Sequence, residues 1–294
     1  MEDKSSEMFL RMGLATAMNA KLPKFVKWVG GKGQLLEQFK PLFPKKFNRY
    51  LEPFVGSGAV FFYVMQRFKP KETIISDINE ELTTTYIMVR DNVEKLILEL
   101  KTHKLHHMNE GKDYYLRIRS MNPKTLSLIA RAARFIYLNK TCFNGLYRVN
   151  SKGQFNVPMG SYKNPNIVQE DKLRIISKTL KDVDIRVMSF EAVADLAEAN
   201  DFIYFDPPYY PLKNSKSFTS YTKDNFLGEQ QKLLAEVFKE LDDRGCYVML
   251  SNSDTQYIKD LYAGYNIHYV KATRLINSDA SKRGKINELV ITNY

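Results

Sequence analysis

The stretch Glu52-Pro53-Phe54-Val55-Gly56-Ser57-Gly58 joins a short apolar run to the apolar segment 59–68, which suits a helix. A β-rich run at 73–78 comes next. Strand, turn, helix and strand in this order are typical of an α/β sheet whose ligands bind beyond the carboxyl ends of its strands. Gly56 and Gly58 carry no Cβ and would let the backbone approach such a ligand. Two glycines fall short of the three-glycine dinucleotide motif, and a turn without a ligand is the alternative interpretation.

The alternation of strands and helices continues beyond this stretch. Further strand candidates are 202–205, 247–251, 268–274 and 287–292, and further helix candidates are 226–241 and 255–262. In the middle of the chain, helical spacing prevails at 82–100, 114–120 and 125–138, and a loop rich in Gly, Asn and Pro follows at 144–166. We therefore predict an α/β protein with a Rossmann-like, doubly wound mixed sheet that ends in an antiparallel pair. Residues 1–82 and 184–294 would form this sheet, and 83–183 would be a mostly helical insert.

Size and composition limit the classes of protein that remain. With 294 residues and 44% hydrophobic content, the chain can bury a substantial core, as one large domain or a domain with an insert. Its two cysteines, Cys142 and Cys246, lie far apart, which argues against a disulfide framework and for a reducing cytoplasm. No apolar run is long enough to span a bilayer, and the mildly apolar start follows acidic residues, unlike an export signal. We expect residues 1–22 to be a tail and no membrane to be bound.

Basic residues are concentrated in the middle third. Residues 83–183 carry 18 Lys and Arg against 8 Asp and Glu, a balance of +10, whereas 1–82 have +4 and 184–294 have −3. Within the middle third, 114–169 hold nine basic residues and no acidic one. Such a surface attracts polyanions, because each neutralised phosphate releases counterions. The charge distribution favours a nucleic-acid partner, and a solvated basic face is the alternative.

Three of the histidines cluster in the same third, at His103, His106 and His107. Metal sites combine such residues with Cys, Asp or Glu, and no convincing group of that kind is completed here. We therefore expect no metal and interpret the three histidines as exposed residues at a helix end.

Asp77 ends the strand candidate after the glycine turn, 19 residues beyond Gly58. An acidic side chain there can accept hydrogen bonds from ribose hydroxyls, and it would also serve as a helix N-cap. No phosphate-binding lysine motif follows, so a ribose-bearing ligand without a triphosphate, such as S-adenosyl-L-methionine, fits best. Upstream, Trp28 and Lys32 flank paired glycines. The indole can pack on the ligand and the lysine can meet a carboxylate, while a structural tryptophan is the alternative.

A candidate catalytic motif is the segment Asp201-Phe202-Ile203-Tyr204-Phe205-Asp206-Pro207-Pro208-Tyr209. A strongly apolar strand delivers a carboxylate, two prolines and an aromatic ring at its end. The prolines remove two backbone donors and fix a rigid turn, which leaves the acceptor-rich pocket that an exocyclic amine requires. If Asp206 and the Pro207 carbonyl each accept a hydrogen bond from adenine N6, the nitrogen lone pair can face an electrophilic methyl group.

Tyr209 has a matching role in this hypothesis. A base inside a duplex is out of reach, so it must be flipped out, and an aromatic face can then stack on it. The alternative interpretation is a turn that merely ends a strand, with Tyr209 in the core. Acid, prolines and aromatic ring in this order favour Asp206, Pro207 and Tyr209 as catalytic residues.

Together these motifs resemble a known family. The run 28–32, the turn 52–58, Asp77 and the tetrad 206–209 occur in the order of the DNA adenine methylase (Dam) family, in the class whose Asp-Pro-Pro-Tyr motif comes last. The chain is especially similar to GATC-specific modification methylases of restriction–modification systems, from about Phe25 onward. The more specific matches are Asn144-Gly145-Leu146-Tyr147-Arg148-Val149-Asn150, Gly153-Gln154-Phe155-Asn156-Val157-Pro158, and the segments 218–221 and 250–253.

The resemblance implies an S-adenosylmethionine-dependent methyltransferase fold and assigns roles to individual residues. The cofactor contacts that it implies are Trp28, Lys32, Phe54, Gly56, Gly58, Asp77 and Asp206. The DNA contacts that it implies are Phe143, Asn144, Leu146, Arg148, Asn156, Pro158 and Tyr162, with Phe143 next to the space that a flipped base leaves. A plain surface loop is the alternative for the second group. Ser161 stands where relatives usually have Arg, which puts the affinity and strictness of DNA recognition in doubt.

The leading hypothesis is a site-specific methyltransferase for adenine N6 in double-stranded DNA, within GATC. It would be the modification half of a restriction–modification system, with a separately acting restriction endonuclease, or an orphan or phage methylase, in the cytoplasm of a bacterial or phage-infected cell. The alternatives are an amino methyltransferase for RNA, protein or cytosine N4, and a DNA-binding protein with a vestigial pocket. The basic insert argues against a protein substrate, and the intact Trp28, Asp77 and Asp206 argue against a vestigial pocket.

Overall fold

One mixed sheet organises the chain in this computed structural model, which describes residues 24–212, 226, 228–273 and 285–294. Its strands in chain order are β1 (Tyr50–Glu52), β2 (Thr73–Asp77), β3 (Asp184–Val187), β4 (Phe202–Phe205), β5 (Tyr247–Ser253), β6 (Asn266–Thr273) and β7 (Lys285–Thr292). They lie side by side in the order β3-β2-β1-β4-β5-β7-β6. Strands β1 to β5 are parallel, and β7 is antiparallel to both of its neighbours. The predicted α/β mixed sheet with an antiparallel last pair is confirmed.

Helices cover both faces of this sheet. In chain order they are α1 (Leu36–Phe39), α2 (Ala59–Arg67), α3 (Glu80–Asp91), α4 (Val93–Glu110), α5 (Lys112–Ser120), α6 (Leu128–Thr141), α7 (Glu170–Leu180), α8 (Gly228–Asp243) and α9 (Gln256–Leu261). Helices α1 to α7 contribute to a hydrophobic cluster on one face, and α8 and α9 contribute to a second cluster on the other. The sheet is therefore doubly wound, as predicted.

Strand β4 shows how the sequence produces this layering. Phe202 and Tyr204 belong to the first hydrophobic cluster, whereas Ile203 and Phe205 belong to the second. Side chains alternate between the faces of a strand, and all four are fully buried because both faces are covered. A strand covered on both sides appears in the sequence as an uninterrupted apolar run, which made 202–205 predictable.

The helical middle of the chain differs from the prediction at one point. The apolar spacing at 82–100 suggested one helix, but the chain forms α3 and α4, which are separated at Asn92. Asn92 has φ −138° and ψ 35°, outside the helical region. Because the apolar spacing continues across this single residue, periodicity could not show the break. Elements α1, α7 and β3 were not predicted either, and in the edge strand β3 only Ile185 is buried.

The prediction that the clustered histidines are exposed was wrong for His103. Its Nδ1 lies 2.7 Å from the Tyr114 hydroxyl, and its ring stacks on Tyr137 with ring centroids 4.9 Å apart. Burial lowers the pKa of His103 to about 4, so it is neutral near pH 7. The rings that bury it come from α5 and α6, which the spacing within α4 could not reveal.

Two predicted features, the tail 1–22 and the matching segment 218–221, lie outside the described residues. In the part of the chain that is described, no helix combines the length and apolar character needed to cross a membrane. In the same part, no group of three or more His, Cys, Asp and Glu is arranged to hold a metal ion. Both cysteines are free and buried.

Candidate active site

Three acidic residues stand where parallel strands end on the same edge of the sheet. Glu52 is the last residue of β1, Asp77 is the last residue of β2, and Asp206 directly follows β4. Strands β1 and β4 are neighbours in the sheet, and β1 also pairs with β2. This edge, beyond the carboxyl ends of the strands, is where open α/β sheets bind their ligands. It brings together the glycine turn and the Asp-Pro-Pro-Tyr tetrad, which are about 150 residues apart in the sequence.

Asp206 is paired with Lys32. The Lys32 Nζ lies 2.6 Å from Asp206 Oδ1, and the side chains are 4% and 20% exposed, respectively. Lys32 Nζ also donates a hydrogen bond of 2.6 Å to the Gly30 carbonyl. The sequence placed these residues in separate motifs, and the fold makes them direct partners.

Burial sets the electrostatics of this edge. It raises the pKa of Asp206 to about 6, although the nearby Lys32 ammonium works in the opposite direction and Glu288 adds to the rise. Burial also raises the pKa of Glu52 well above its usual value, which favours the protonated acid, and the Tyr50 hydroxyl donates a 2.6 Å hydrogen bond to it. Burial therefore favours the neutral form of both acids, and the Lys32 cation opposes this effect at Asp206.

The aromatic member of the tetrad is held on two sides. The Tyr209 hydroxyl donates a 2.9 Å hydrogen bond to Glu288 Oε2 on β7. Lys32 Nζ lies 4.7 Å from the centre of the Tyr209 ring. Within the described residues, the Pro207 carbonyl accepts no hydrogen bond and remains an open acceptor beside Asp206. The arrangement combines two acceptors and an aromatic ring, as an exocyclic amine on a planar base requires.

The glycine turn and β2 form a cradle next to this site. Gly56 and Gly58 have φ values of +47° and +70°, in the region that favours glycine. A Cβ on Gly56 would come within 2.7 Å of the Trp28 indole, so the tryptophan lies directly on the turn. Asp77 accepts hydrogen bonds from the backbone N–H groups of Gly56 (3.3 Å) and Asn79 (2.9 Å).

This cradle fits a nucleoside ligand with a charged amino-acid end. Asp77 can accept bonds from ribose hydroxyls, the Trp28 indole offers an apolar wall, and Lys32 offers a cation for a carboxylate. Burial raises the pKa of Asp77 to about 6, partly offset by the two backbone N–H groups, so it is ionised near pH 7. The residues present therefore suit S-adenosyl-L-methionine.

Phe54 lies apart from these groups. Its ring stacks on Phe190 with centroids 5.5 Å apart and contacts Phe205 and Phe226 edge-on. These partners belong to, or pack against, the cluster on the α8 side of the sheet. A contact between Phe54 and the cofactor stays a prediction.

A comparison with known families decides the class of this chain. The family model for D12 class N6 adenine-specific DNA methyltransferases matches residues 28–276. The chain belongs to this family. Its relatives agree over nearly the whole length. It is 45% identical over 289 residues to the type II methyltransferase M1.LlaDCHI of Lactococcus lactis subsp. cremoris, covering 96% of this chain and 99% of the relative.

Two further relatives give the range of similarity within this methyltransferase family. The type II methyltransferase M.MjaIII of Methanocaldococcus jannaschii is 46% identical over 284 residues, covering 92% of this chain and 98% of the relative. The DNA adenine methylase of Escherichia coli strain K12 is 35% identical over 270 residues, covering 90% of this chain and 93% of the relative. The fold described above is thus that of an S-adenosylmethionine-dependent methyltransferase, and the chain is an adenine-specific DNA methyltransferase.

In this methyltransferase the middle loop is shaped as a small hairpin after α6. Isolated antiparallel bridges join Cys142 to Met159 and Val149 to Phe155. At its start, Asn144 has φ +55° and Gly145 has φ +65°, which turns the chain sharply. A Cβ on Gly145 would collide with the Lys27 side chain, so the loop lies against the segment before Trp28.

The predicted DNA contacts fall into two groups within this hairpin. The first is engaged in the protein: Arg148 Nε donates a 2.7 Å hydrogen bond to Asn156 Oδ1, the Pro158 carbonyl accepts one from Phe143 N, and Leu146 packs against the core. The second is exposed, namely Asn144, Phe143 (50%) and Tyr162 (38%), and Pro158 is exposed as well although its carbonyl is engaged. Lys27 joins the second group, because its Nζ lies 3.1 Å from the Tyr162 hydroxyl.

Sequence reasoning missed several residues that organise the site. Buried Asn139 on α6 donates to the carbonyls of Lys27 (2.8 Å) and Gly145 (3.0 Å) and accepts from Lys27 N (2.7 Å), which ties the cofactor side to the hairpin. Glu288 holds Tyr209, Gln231 bonds the tetrad backbone at Pro208, and Asn252 bonds the next residue, Tyr210. The position of Asn139 directly after the apolar run 135–138 is the signal that could have shown this residue.

Proposed function

We propose that this methyltransferase transfers a methyl group from S-adenosyl-L-methionine to N6 of adenine within GATC in double-stranded DNA, with S-adenosyl-L-homocysteine as the other product. The observation that carries the proposal is the Asp206 carboxylate at the end of β4, only 20% exposed, beside an open Pro207 carbonyl and the Tyr209 ring. Two acceptors and a ring in one turn match the two hydrogens and the planar face of an adenine amine.

The chain's own residues act on the target amine as follows. Asp206 Oδ and the Pro207 carbonyl each accept a hydrogen bond from one N6 hydrogen, which turns the nitrogen lone pair out of conjugation with the ring. The Asp206 carboxylate is placed to take the proton that N6 releases on methylation. Tyr209 stacks on the flipped adenine and is kept in place by Glu288. Burial of the turn strengthens these hydrogen bonds, because little water competes for the acceptors. The cofactor supplies an electrophilic methyl group on a sulfonium sulfur.

The cofactor in this proposal is held by the residues around the glycine turn. Asp77 accepts bonds from the ribose hydroxyls, Trp28 packs on the ligand, and Lys32 meets its carboxylate. Gly56 and Gly58 allow the close approach, and Phe54 and Asp206 complete the set that the family resemblance implies. Because Lys32 also pairs with Asp206, it would link cofactor binding to the electrostatics of the catalytic turn.

DNA in this proposal meets the hairpin and the basic middle third. We assign residues 1–82 and 184–294 to the catalytic domain and 83–183 to target recognition. Base flipping fits Phe143, whose half-exposed ring could occupy the space that the adenine leaves. Arg148, Asn156, Pro158, Leu146, Asn144 and Tyr162 are the proposed contacts to bases and backbone, on double-stranded DNA.

The names of the relatives support a proposal for the cellular setting. Two are named type II methyltransferases and one a DNA adenine methylase. We propose that this protein is cytoplasmic and serves either as the modification half of a restriction–modification system, beside a separate endonuclease, or as an orphan or phage methylase.

The test is methyl transfer from labelled S-adenosyl-L-methionine to a duplex that contains GATC. A scrambled duplex of equal composition, single-stranded RNA of the same sequence and the Asp206→Ala variant accompany it. We expect labelled N6-methyldeoxyadenosine from the GATC duplex alone, and a loss of about 1000-fold or more in the variant.

Each other outcome removes a defined part of the proposal. Equal labelling of both duplexes would remove GATC specificity. Label recovered as N4-methyldeoxycytidine or in RNA would support the corresponding alternative substrate. An Asp206→Ala variant as active as the wild type would overturn the catalytic site itself.

A further inference from the structure

The tetrad turn is attached to the rest of the protein by two buried amide side chains. Gln231 lies on α8 and Asn252 on β5, and both are completely buried. Gln231 Nε2 donates a 3.0 Å hydrogen bond to the Pro208 carbonyl. Asn252 Oδ1 accepts a 3.1 Å hydrogen bond from the Tyr210 backbone N–H. The two amides therefore hold the residues immediately before and after Tyr209.

The amides are also bonded to each other. Asn252 Nδ2 donates a 2.9 Å hydrogen bond to Gln231 Oε1. The result is a continuous relay from Tyr210 N–H through Asn252 and Gln231 to the Pro208 carbonyl. Ser253 strengthens the Tyr210 end of this relay with two more hydrogen bonds. The Ser253 backbone N–H donates to Asn252 Oδ1 (2.8 Å), and the Ser253 hydroxyl donates to the Tyr210 carbonyl (2.7 Å).

The chemistry of the two ends fixes the orientation of both amides. Backbone N–H groups from Tyr210 and Ser253 can bond only to an acceptor, so the Asn252 oxygen must face them. The Asn252 nitrogen then faces Gln231, whose oxygen accepts and whose nitrogen is left to donate to the Pro208 carbonyl. Neither amide can rotate without placing two donors or two acceptors against each other, and that mismatch is costly in a buried site.

We propose that Gln231 and Asn252 are positioning residues that lock the catalytic turn for methyl transfer. The relay occupies the Pro208 carbonyl and leaves the Pro207 carbonyl as the open acceptor. It also fixes the backbone on both sides of Tyr209. Neither side chain is required to touch the base or the cofactor. The inference rests on the proposed roles of Asp206, Pro207 and Tyr209.

The first test compares Gln231→Met with wild type. Methionine has nearly the same length and fills the space, but it cannot donate to the Pro208 carbonyl. We expect kcat to fall about 100-fold while KM for DNA and cofactor affinity, measured by Trp28 fluorescence, change less than about threefold. The Tyr210 backbone N–H, which Asn252 binds, should exchange its hydrogen faster than in wild type, a readout independent of activity.

The second test uses Gln231→Glu and its pH dependence. A protonated carboxylic acid keeps one acceptor for Asn252 and one donor for the Pro208 carbonyl, whereas a carboxylate has no donor. The activity of Gln231→Glu relative to wild type should therefore fall as the pH rises. The test compares the activity of the same Gln231→Glu protein at several pH values. It therefore remains decisive if Gln231→Met does not fold.

A matched control is Asn293→Leu. Asn293 also bonds β5, through Val248 N and the Cys246 carbonyl, but at the opposite end of the strand. Its loss should lower the Tm and leave kcat within about threefold of wild type. A folded Gln231→Met variant with unchanged kcat, or a pH-independent Gln231→Glu ratio, would overturn the relay. If Asp206→Ala stays active as well, the proposed function fails rather than the relay alone.

Discussion

The catalytic turn and the middle hairpin are stabilised in opposite ways. The turn 206–210 is bonded to side chains on other elements, such as the buried Gln231 on α8 and the partly buried Glu288 on β7. The hairpin 143–162 is held mainly by bonds between its own residues, such as Arg148 with Asn156, and it exposes Phe143. A reaction needs fixed geometry, whereas recognition needs reachable side chains. Changes in the turn should therefore alter the rate, and changes in the hairpin should alter affinity and specificity.

Among variants that distinguish the two regions, Lys32→Met should cause the largest loss of activity. The variant leaves Asp206 without its cation, which raises the pKa of this carboxyl further, and it removes the proposed partner of the cofactor carboxylate. We expect kcat/KM for the cofactor to fall by at least about 100-fold. Steady-state kinetics and Trp28 fluorescence measure the loss. Lys40→Met is the control, because Lys40 is half-exposed and pairs with nearby Glu37, away from the catalytic edge.

Arg148→Ala tests the hairpin side of the comparison. The guanidinium bridges to Asn156 and is a proposed contact to DNA. We expect discrimination between GATC and scrambled duplexes to fall by about 10- to 100-fold, with kcat nearly unchanged at saturating DNA. Competition binding and saturating kinetics would show this. The control is Arg174→Ala, because Arg174 is an exposed arginine on α7 that pairs with Glu94. This variant should leave the discrimination between duplexes and kcat unchanged. A drop in kcat alone would contradict the division of roles.

The two regions also differ in how far sequence predicts them. Strand β4 and the tetrad were predictable, because an apolar run followed by Asp-Pro-Pro-Tyr depends on neighbouring residues alone. The hairpin was found through its resemblance to a family. The relay was invisible, because Gln231 and Asn252 meet only after α8 packs on the sheet. Burial of His103 was missed for the same reason, since its partner Tyr137 lies on a different helix.

Acid should weaken the catalytic edge before it affects the hairpin. The pKa values of Asp206 and Asp77 are raised to about 6, so protonation removes an amine acceptor and a ribose acceptor as the pH falls below that value. Because both ionised carboxylates are required, we expect kcat/KM for the cofactor to fall by up to about 100-fold per pH unit well below pH 6, about tenfold for each group. A pH profile measures this, and a flat profile down to about pH 5 would contradict the assignment.

Unfolding should not explain that acid loss. Both carboxyls have folded-state pKa values above the ordinary 3.8, so the folded state binds their protons more tightly than the unfolded chain. From these two groups, the free energy of unfolding rises as the pH falls from above 6 toward 4. The Tm of the wild type, recorded at each pH of the profile, checks this direction.

Ser161→Arg should have the smallest effect of these variants, and it should raise the affinity for DNA rather than impair function. Ser161 is exposed in the hairpin, next to Tyr162, and an arginine there could reach a phosphate or a guanine edge. We expect DNA affinity to rise about three- to tenfold and the slope of affinity against salt to steepen by about one counterion. Binding titrations at several salt concentrations measure both. An unchanged slope would exclude a new phosphate contact.

The central claim is that acceptors fixed at the end of β4 activate the amine. The most direct measurement is the single-turnover rate of methyl transfer by Asp206→Asn, which keeps the shape of the side chain but replaces one acceptor oxygen with an N–H donor. At saturating cofactor, this rate should fall about 1000-fold while the DNA dissociation constant changes less than about threefold. A rate within about fivefold of wild type, with affinity lost instead, would show that Asp206 serves binding and would contradict the account.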